Sequence, residues 1–481
     1  MGNKIINILL FPEISLIILI LLILLIGLFS KKNNFSNVSN LSIISLIFVS
    51  FLIYLDVDFV FAGYDYFFKN SAFIKFFKLL VILGSIATII ISINYFKDLK
   101  LAKFEIPILI LFSNLGMMVL ISSNDLMTMY LGIELQSLAL YVVAAIKRDS
   151  LQSAESGIKY FVLGALSSGI LLYGCSLIYG FTGSTNFEEI YYSLQTIDEL
   201  NLGIIFGLVF VLVGLGFKIS AVPFHMWTPD VYQGAPTSIT AFFAIVPKVS
   251  AVALIYRFCL EPFGDFYNDW IQIIIFLSIG SMFLGAIAAI SQYNLKRLLA
   301  YSSIGHVGYV LIGLAAANSA GVKGASIYMF IYVIMNIAIF AIMLSLKINN
   351  NYVEKINELS GLSKHKPLIS LSIAIIMLSM AGLPPFAGFF AKFYIFIAAL
   401  KAQLIFLAVL GVISSVISAF YYLRIIKVMY FDEVRDNNYQ LVLTNKSLMI
   451  LLFSILIITL FIFYPSFLVN LGEMISVDFF N

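Results

Sequence analysis

Residues Gly216–Trp227 read GFKISAVPFHMW and close the run LNLGIIFGLVFVLVGLGFKIS, which begins at Leu200. That run is apolar enough to cross a bilayer, which takes ~20 mostly apolar residues. It nevertheless contains Lys218, is interrupted by Pro223 and continues through His225 into further apolar sequence. A proline removes a backbone N–H and breaks a helix. Within a membrane such a break is tolerated only where the freed backbone faces protein or a water-filled cavity. A cation, a helix breaker and an imidazole together predict an interrupted membrane helix lining a hydrated site.

Composition points the same way. The 481 residues are 62% hydrophobic and only 11% charged, with a mean hydropathy of +1.04. A soluble domain carries about 25% charged residues, so the chain reads as an all-α polytopic membrane protein embedded in the lipid bilayer. A net charge of +3, without a basic patch interleaved with aromatics, argues against a nucleic-acid partner. Cys175 and Cys259 lie in apolar segments without CxxC spacing, so no disulfide framework, zinc site or iron–sulfur cluster is expected. Neither a dinucleotide fingerprint nor a P-loop is found, so no cofactor and no metal is expected in this chain.

Apolar runs place spans at about 9–29, 41–61, 76–95, 106–123, 125–146, 156–181, 202–222, 238–260, 270–290, 296–317, 324–346, 368–398, 403–428 and 447–471, about fourteen in all. The first lacks a cleavage site and reads as a span, not a signal peptide. Lysine and arginine set the orientation. Seventeen fall in the odd-numbered loops, including Lys31, Lys32, Lys296 and Arg435, against six in the even ones, Lys69, Lys75, Lys78, Arg257, Lys323 and Lys401. The odd loops are therefore expected on the cytoplasmic or matrix side, with both termini on the periplasmic or intermembrane side. Lys4 lies near the terminus, and Lys159, Lys218, Lys248 and Lys392 lie within the expected spans.

A charge at the centre of a membrane helix costs ~2.5–3.5 kcal/mol on insertion scales. Snorkelling of the long lysine stem is the bland alternative. Lys248, in FFAIVPKVSAVALIY, is about ten residues from either helix end, roughly 15 Å at the helical rise, and too deep to snorkel. Lys218 and Lys392 each sit beside a break, at Pro223 and at Pro384 with Pro385. Lys159 is near the start of its span, where snorkelling competes well. Glu134 is the acid at mid-span and is expected to form an ion pair with one of these lysines. Asp56 and Asp58 read as interfacial. His225 and His306 are candidate relay imidazoles, each also readable as packed core, and His365 is a loop residue. A haem between His225 and His306 has no other support. Lysines whose proton affinity depends on burial and on the distance to a carboxylate suit a proton relay.

The two broken spans are five helices apart, an odd number, so the second copy runs inverted relative to the first. Inverted repeats with discontinuous helices mark ion-transport folds. The expected division is 1–103 (helices one to three), 104–260 (first repeat, helices four to eight), 261–430 (second, inverted repeat) and 431–481 (helix fourteen).

The stretch GFKISAVPFHMWTPDVYQGAPT (Gly216–Thr237) resembles the hallmark of the antiporter-like membrane subunits of respiratory complex I, the NADH:quinone oxidoreductase. KRLLAYSSIGHVGY (Lys296–Tyr309), AGLPPFAGFFAKFY (Ala381–Tyr394) and YLGIELQSLALYVV (Tyr130–Val143) are similar to the same family. Within it, TPDVYQGAP, the FPEI opening and Lys392 resemble the subunit N type, the bacterial counterpart of mitochondrial subunit 2. The resemblance implies that Glu134 pairs with Lys218, that Lys159 lies near the proton entry, and that Lys218, His225 and Lys248 form a hydrophilic axis ending at Lys392. Lys296 and His306 also match family positions, and Pro223, Pro384 and Pro385 are structural breaks. The implied function is proton translocation driven by NADH oxidation in other subunits, with no redox centre in this chain. FMN, iron–sulfur clusters and quinone would belong to the wider complex, and the partners would be its other membrane subunits. The implied setting is a bacterial inner membrane, with the mitochondrial inner membrane as the alternative. Rival readings are a free-standing Mrp-type cation/proton antiporter subunit, a scaffold whose charges only fix helix packing, and a standalone quinone-binding enzyme.

Overall fold

In the computed structural model, residues 11–30, 34–55, 64–195, 201–433 and 438–480 are described. Lys4, Lys31, Lys32, Asp56, Asp58 and Arg435 lie outside these residues, as do the outer ends of the first two expected spans. The helices are α1 (Pro12–Phe29), α2 (Asn34–Leu55), α3 (Ala72–Asp98), α4 (Glu105–Ser122), α5 (Leu126–Ala144), α6 (Leu151–Thr182), α7 (Leu202–Ile219) and α8 (Thr237–Leu260). They continue with α9 (Tyr267–Ile290), α10 (Leu295–Ala315), α11 (Ser319–Met343), α12 (Pro367–Ala381), α13 (Ala387–Lys401), α14 (Ile405–Phe431), α15 (Asn445–Leu460) and α16 (Ser466–Phe480). Among the described residues, twelve are long and apolar enough to cross a membrane. The chain is a multi-pass, all-α membrane protein.

Most spans fall where the apolar runs place them. Three differ. α2 begins at Asn34, before the expected 41, because its early serines satisfy themselves along the helix: Ser39 donates to Phe35 O at 2.7 Å and Ser42 to Val38 O at 2.8 Å. The expected span 368–398 is two helices, α12 and α13, separated at Pro384–Pro385. The expected last span, 447–471, ends at Leu460, and α16 starts after Pro465, which has no N–H to continue the ladder.

Two compact units emerge from the packing. The first comprises residues 1–218 and 246–270, the second 219–245 and 271–481. In the first unit α4 and α5 touch backbone to backbone. A Cβ at Gly116 would lie 2.4 Å from Gln136 N, and one at Gly132 would lie 2.8 Å from Leu120 N. Small residues at such contacts let membrane helices approach closely, and this contact seats α5, the helix that carries Glu134, Gln136 and Ser137, by its Gly132 and Gln136 side. Asp125 caps α5, its Oδ1 accepting from Met127 N at 2.8 Å and Thr128 N at 2.9 Å.

In the second unit, β1 (Leu346–Ile348) pairs antiparallel with β2 (Asn351–Tyr352) and with β3 (Tyr439–Leu441), in the order β2-β1-β3. This small sheet ties the loop after α11 to the loop before α15. The segment after the first break is held by the start of α10. Arg297 donates to Asp230 Oδ1 at 2.7 Å and to Gln233 Oε1 at 3.1 Å, and Lys296 donates to Ala235 O at 3.2 Å.

Candidate functional site: two lysines at two broken helices

α7 ends at Ile219, and Ser220 takes a left-handed conformation at φ +64°. Ser220 Oγ accepts from Thr228 Oγ1 at 2.7 Å, which closes the turn onto the short helix Trp227–Gly234. Lys218, in the last turn of α7, is only 8% exposed. Its Nζ donates to Ser137 Oγ at 2.7 Å and lies 6.0 Å from the centre of the Tyr141 ring. Both partners are on α5, at i and i+4, so one face of that helix receives the ammonium.

The expected Glu134–Lys218 ion pair does not form as a direct contact. Glu134 is half-buried one turn before Ser137, and its Oε1 has no hydrogen-bond partner.

Lys248 is 1% exposed and directly follows Pro247 within α8, a helix buried throughout its apolar window. Ser250, two residues on, donates to Pro247 O at 2.9 Å and contacts Gln136 Oε1 at 3.3 Å. Lys159 behaves differently. It lies in the third turn of α6, about 40% exposed at its side chain, and pairs with Glu155 at 2.6 Å in i,i+4 register.

In the second unit the break between α12 and α13 is built around Lys392. Gly382 caps α12 at φ +85°. Lys392 folds back over it and donates to Ala381 O, a carbonyl freed by the break, and to Ser415 Oγ, each at 2.8 Å. The ammonium lies 4.8 Å from the Tyr309 ring centre, a cation–π distance. Lys392 and His306 line one small cavity together with Ser302, Tyr309, Ser418 and Tyr422. His306 is buried, with Nδ1 2.6 Å from Tyr328 Oη and Nε2 3.2 Å from Tyr422 Oη. Lys296, at the start of α10, pairs with Glu354 at 3.0 Å. His225 is half-buried beside Pro223, and its Nδ1 has no hydrogen-bond partner.

The structure thus brings Glu134 and Lys218 to one face of α5 in the first unit, and His306 and Lys392 to one cavity in the second. Sequence reasoning missed Ser137 and Ser415 as direct lysine partners, and Tyr328 and Tyr422 around His306. It also missed a buried ion pair between Glu13 and Lys78 at 2.5 Å, where Lys78 reads from sequence as a loop residue. The available signal was FPEI, a carboxylate at the mouth of an apolar run.

Residues 123–418 match the family described as NADH:quinone oxidoreductase/Mrp antiporter, TM. The chain is 55% identical over 406 residues to the NADH-quinone oxidoreductase subunit N of Pelagibacter ubique, covering 84% of this chain and 85% of that relative. Among solved structures it resembles a chain of respiratory complex I from Thermus thermophilus with bound aureothin, with a TM-score of 0.79 and 28% identity, covering 96% of this chain and 99% of that one. A chain of the Mrp complex from Dietzia sp. DQ12-45-1b shares the fold, with a TM-score of 0.80 at 19% identity over 100% of this chain and 98% of that one. With more than half its length in the family match and 55% of the aligned residues shared with a subunit N relative across most of both chains, this chain belongs to the NADH:quinone oxidoreductase/Mrp antiporter transmembrane family, on its subunit N branch.

Proposed function

We propose that this chain is a proton-translocating membrane subunit of a bacterial inner-membrane NADH:quinone oxidoreductase. One observation carries the reading: at each of two helix breaks a buried ammonium is held by neutral oxygens, Ser137 Oγ for Lys218, and Ala381 O with Ser415 Oγ for Lys392. A lysine locked to a contacting carboxylate would keep its proton. A lysine held by a hydroxyl or a carbonyl, with a carboxylate acting from farther away, is free to take up and release one. The membership of the subunit N branch supplies the redox complex to which that chemistry belongs.

Glu134, Lys159, Lys218 and Lys248 serve as titratable groups of the first unit, and His225, Lys296, His306 and Lys392 as those of the second. Electron transfer takes place in other subunits, which hold the FMN, iron–sulfur clusters and quinone. Coupling acts by shifting the populations of protonated and neutral lysine. The neighbours are other membrane subunits of the complex, the odd loops face the cytoplasm, and both termini face the periplasm.

The test is Lys218→Ala, Lys248→Ala and Lys392→Ala in the assembled complex in sealed vesicles, reading protons pumped per NADH oxidised. A lower yield at unchanged assembly supports the reading. Parent yield in all three removes the lysines from the path.

A further inference from the structure

The His306 ring is flanked by a phenol at each nitrogen: Nδ1 by Tyr328 of α11 and Nε2 by Tyr422 of α14. Tyr422 Oη also lies 2.5 Å from Ser302 Oγ, one turn before His306 on α10, in a bond that either oxygen can donate. All four side chains are buried. Lys392 and His306 are the basic groups lining the shared cavity, and no carboxylate lines it. The other titratable groups near the ring are phenols: Tyr332 with its ring centre 5.4 Å from the imidazole, Tyr421 packed against Tyr422 at 4.2 Å, and Tyr309 under the Lys392 ammonium.

Phenol and serine hydroxyls each donate one hydrogen bond and accept others. With neutral His306 carrying its proton on Nδ1, Nδ1–H donates to Tyr328 Oη, Tyr422 donates to Nε2, and Ser302 donates to Tyr422. With charged His306 both ring N–H groups donate. Tyr422 then accepts from Nε2 and turns its own O–H onto Ser302 Oγ. In both states each ring nitrogen and the Tyr422 hydroxyl keep a hydrogen-bond partner without moving a heavy atom. An unsatisfied buried group would instead cost ~1–3 kcal/mol.

We propose that Tyr328, Tyr422 and Ser302 make His306 a two-state proton acceptor for Lys392, a role that rests on the reading of Lys392 as a proton carrier. The Lys392 ammonium gives a proton across the cavity to Tyr422 Oη as the Tyr422 phenolic proton passes to His306 Nε2. Lys392 ends as a neutral amine, His306 as an imidazolium and Tyr422 as an intact phenol, with one positive charge before and after. Tyr328 is a positioning residue. When its Oη accepts from Nδ1–H, Nε2 is the nitrogen open to Tyr422.

The experiment uses the whole complex in sealed vesicles carrying Tyr422→Phe, Tyr328→Phe, Ser302→Ala or Lys392→Ala. It reads the amount of assembled complex, NADH oxidation by an artificial acceptor, and protons pumped per NADH from about pH 6 to 8, where histidine titrates. Tyr422→Phe is expected to keep assembly and NADH oxidation while the proton yield falls at least about twofold, a modest loss for a proton-transfer group. The deficit widens as pH rises, because Nε2 must then be loaded from an ever scarcer supply of free protons. A merely structural role would lower the yield by one factor at every pH, and that result, or parent yield throughout, overturns the relay. Ser302→Ala, which removes only a hydroxyl, carries the same test if Tyr422→Phe fails to assemble. Parent yield in Lys392→Ala would overturn the underlying reading of the lysine. Loss there with parent behaviour in the tyrosine and serine variants overturns the relay alone.

Discussion

Lys218 Nζ donates to Ser137 Oγ at 2.7 Å, while Glu134, one turn earlier on the same helix, leaves Oε1 without a hydrogen-bond partner. The serine holds the ammonium, and the carboxylate is expected to act on it through space. A hydrogen bond to a charged group contributes roughly 1.5–3 kcal/mol, so Ser137→Ala is expected to change the coupled rate by about tenfold or more at unchanged assembly. Glu134→Gln removes the charge and keeps the shape. Because both groups act on one ammonium, their effects are expected to be non-additive by ~0.5–3 kcal/mol. Proton-pumping rates of the two single variants and the double variant give that value. Simple additivity would mean that serine and glutamate do not share Lys218.

The Glu13–Lys78 pair joins α1 to α3 at 2.5 Å, with both side chains less than a tenth exposed. Removing one member of a buried pair strands the other charge at a cost of ~3–5 kcal/mol, whereas replacing both by apolar residues is often neutral. Glu13→Leu and Lys78→Met are each expected to reduce the amount of assembled subunit in the membrane. The double variant is expected to recover much of it. Quantitative immunoblotting of isolated membranes checks this, and a double variant worse than either single one would show that the pair does more than neutralise itself.

The features legible in the sequence were those that break a strong expectation. Lys218, Lys248 and Lys392 stand out because charge is rare in apolar runs, and Pro223, Pro384 and Pro385 because proline is rare inside helices. The partners were illegible for the opposite reason. Ser137 and Ser415 are ordinary residues in membrane helices, and Tyr328 and Tyr422 are two of 26 tyrosines. Their roles depend on which helices meet, and near-uniform hydrophobicity erases the periodicity that would reveal a buried face. Lys78 counted as a loop cation because it stands only two residues inside its expected span, 76–95, where a lysine reads as interfacial, whereas α3 begins at Ala72.

The break between α12 and α13 is held by two glycines. A Cβ at Gly388 would lie 1.8 Å from Ser379 O, where backbone cannot yield. Gly388→Ala is expected to abolish accumulation of the subunit. At Gly382 the φ of +85° already disfavours a side chain, and a Cβ would lie 2.8 Å from Lys392 Cδ. Lys392 is the flexible neighbour and is expected to move. Gly382→Ala should therefore assemble at a reduced level and lose proton yield per assembled complex. Parent yield in that variant would show that the place of the ammonium over the break does not matter to pumping.

Arg257 is fully buried in α8 and bonds three groups of the first unit. Its guanidinium donates to Ile121 O at 2.9 Å and Ser123 O at 2.6 Å, at the carboxyl end of α4, and forks onto Glu261 at 3.1 and 2.7 Å. The last carbonyls of a helix have no partner within it, and at a protein-buried end a side chain must supply one. Arg257→Ala is expected to destabilise by ~1–3 kcal/mol for each orphaned carbonyl, while Glu261 is left with Lys69 at 3.5 Å. Arg257→Lys keeps the charge but not the planar fork, so a smaller loss is expected. Glu261→Gln should have the mildest effect, since its side chain is 16% exposed and the arginine retains both carbonyls. Thermal unfolding of the purified complex, followed by retention of this subunit, gives the order. If Glu261→Gln matched Arg257→Ala, the ion pair and not the capping of α4 would be the main contribution of this arginine.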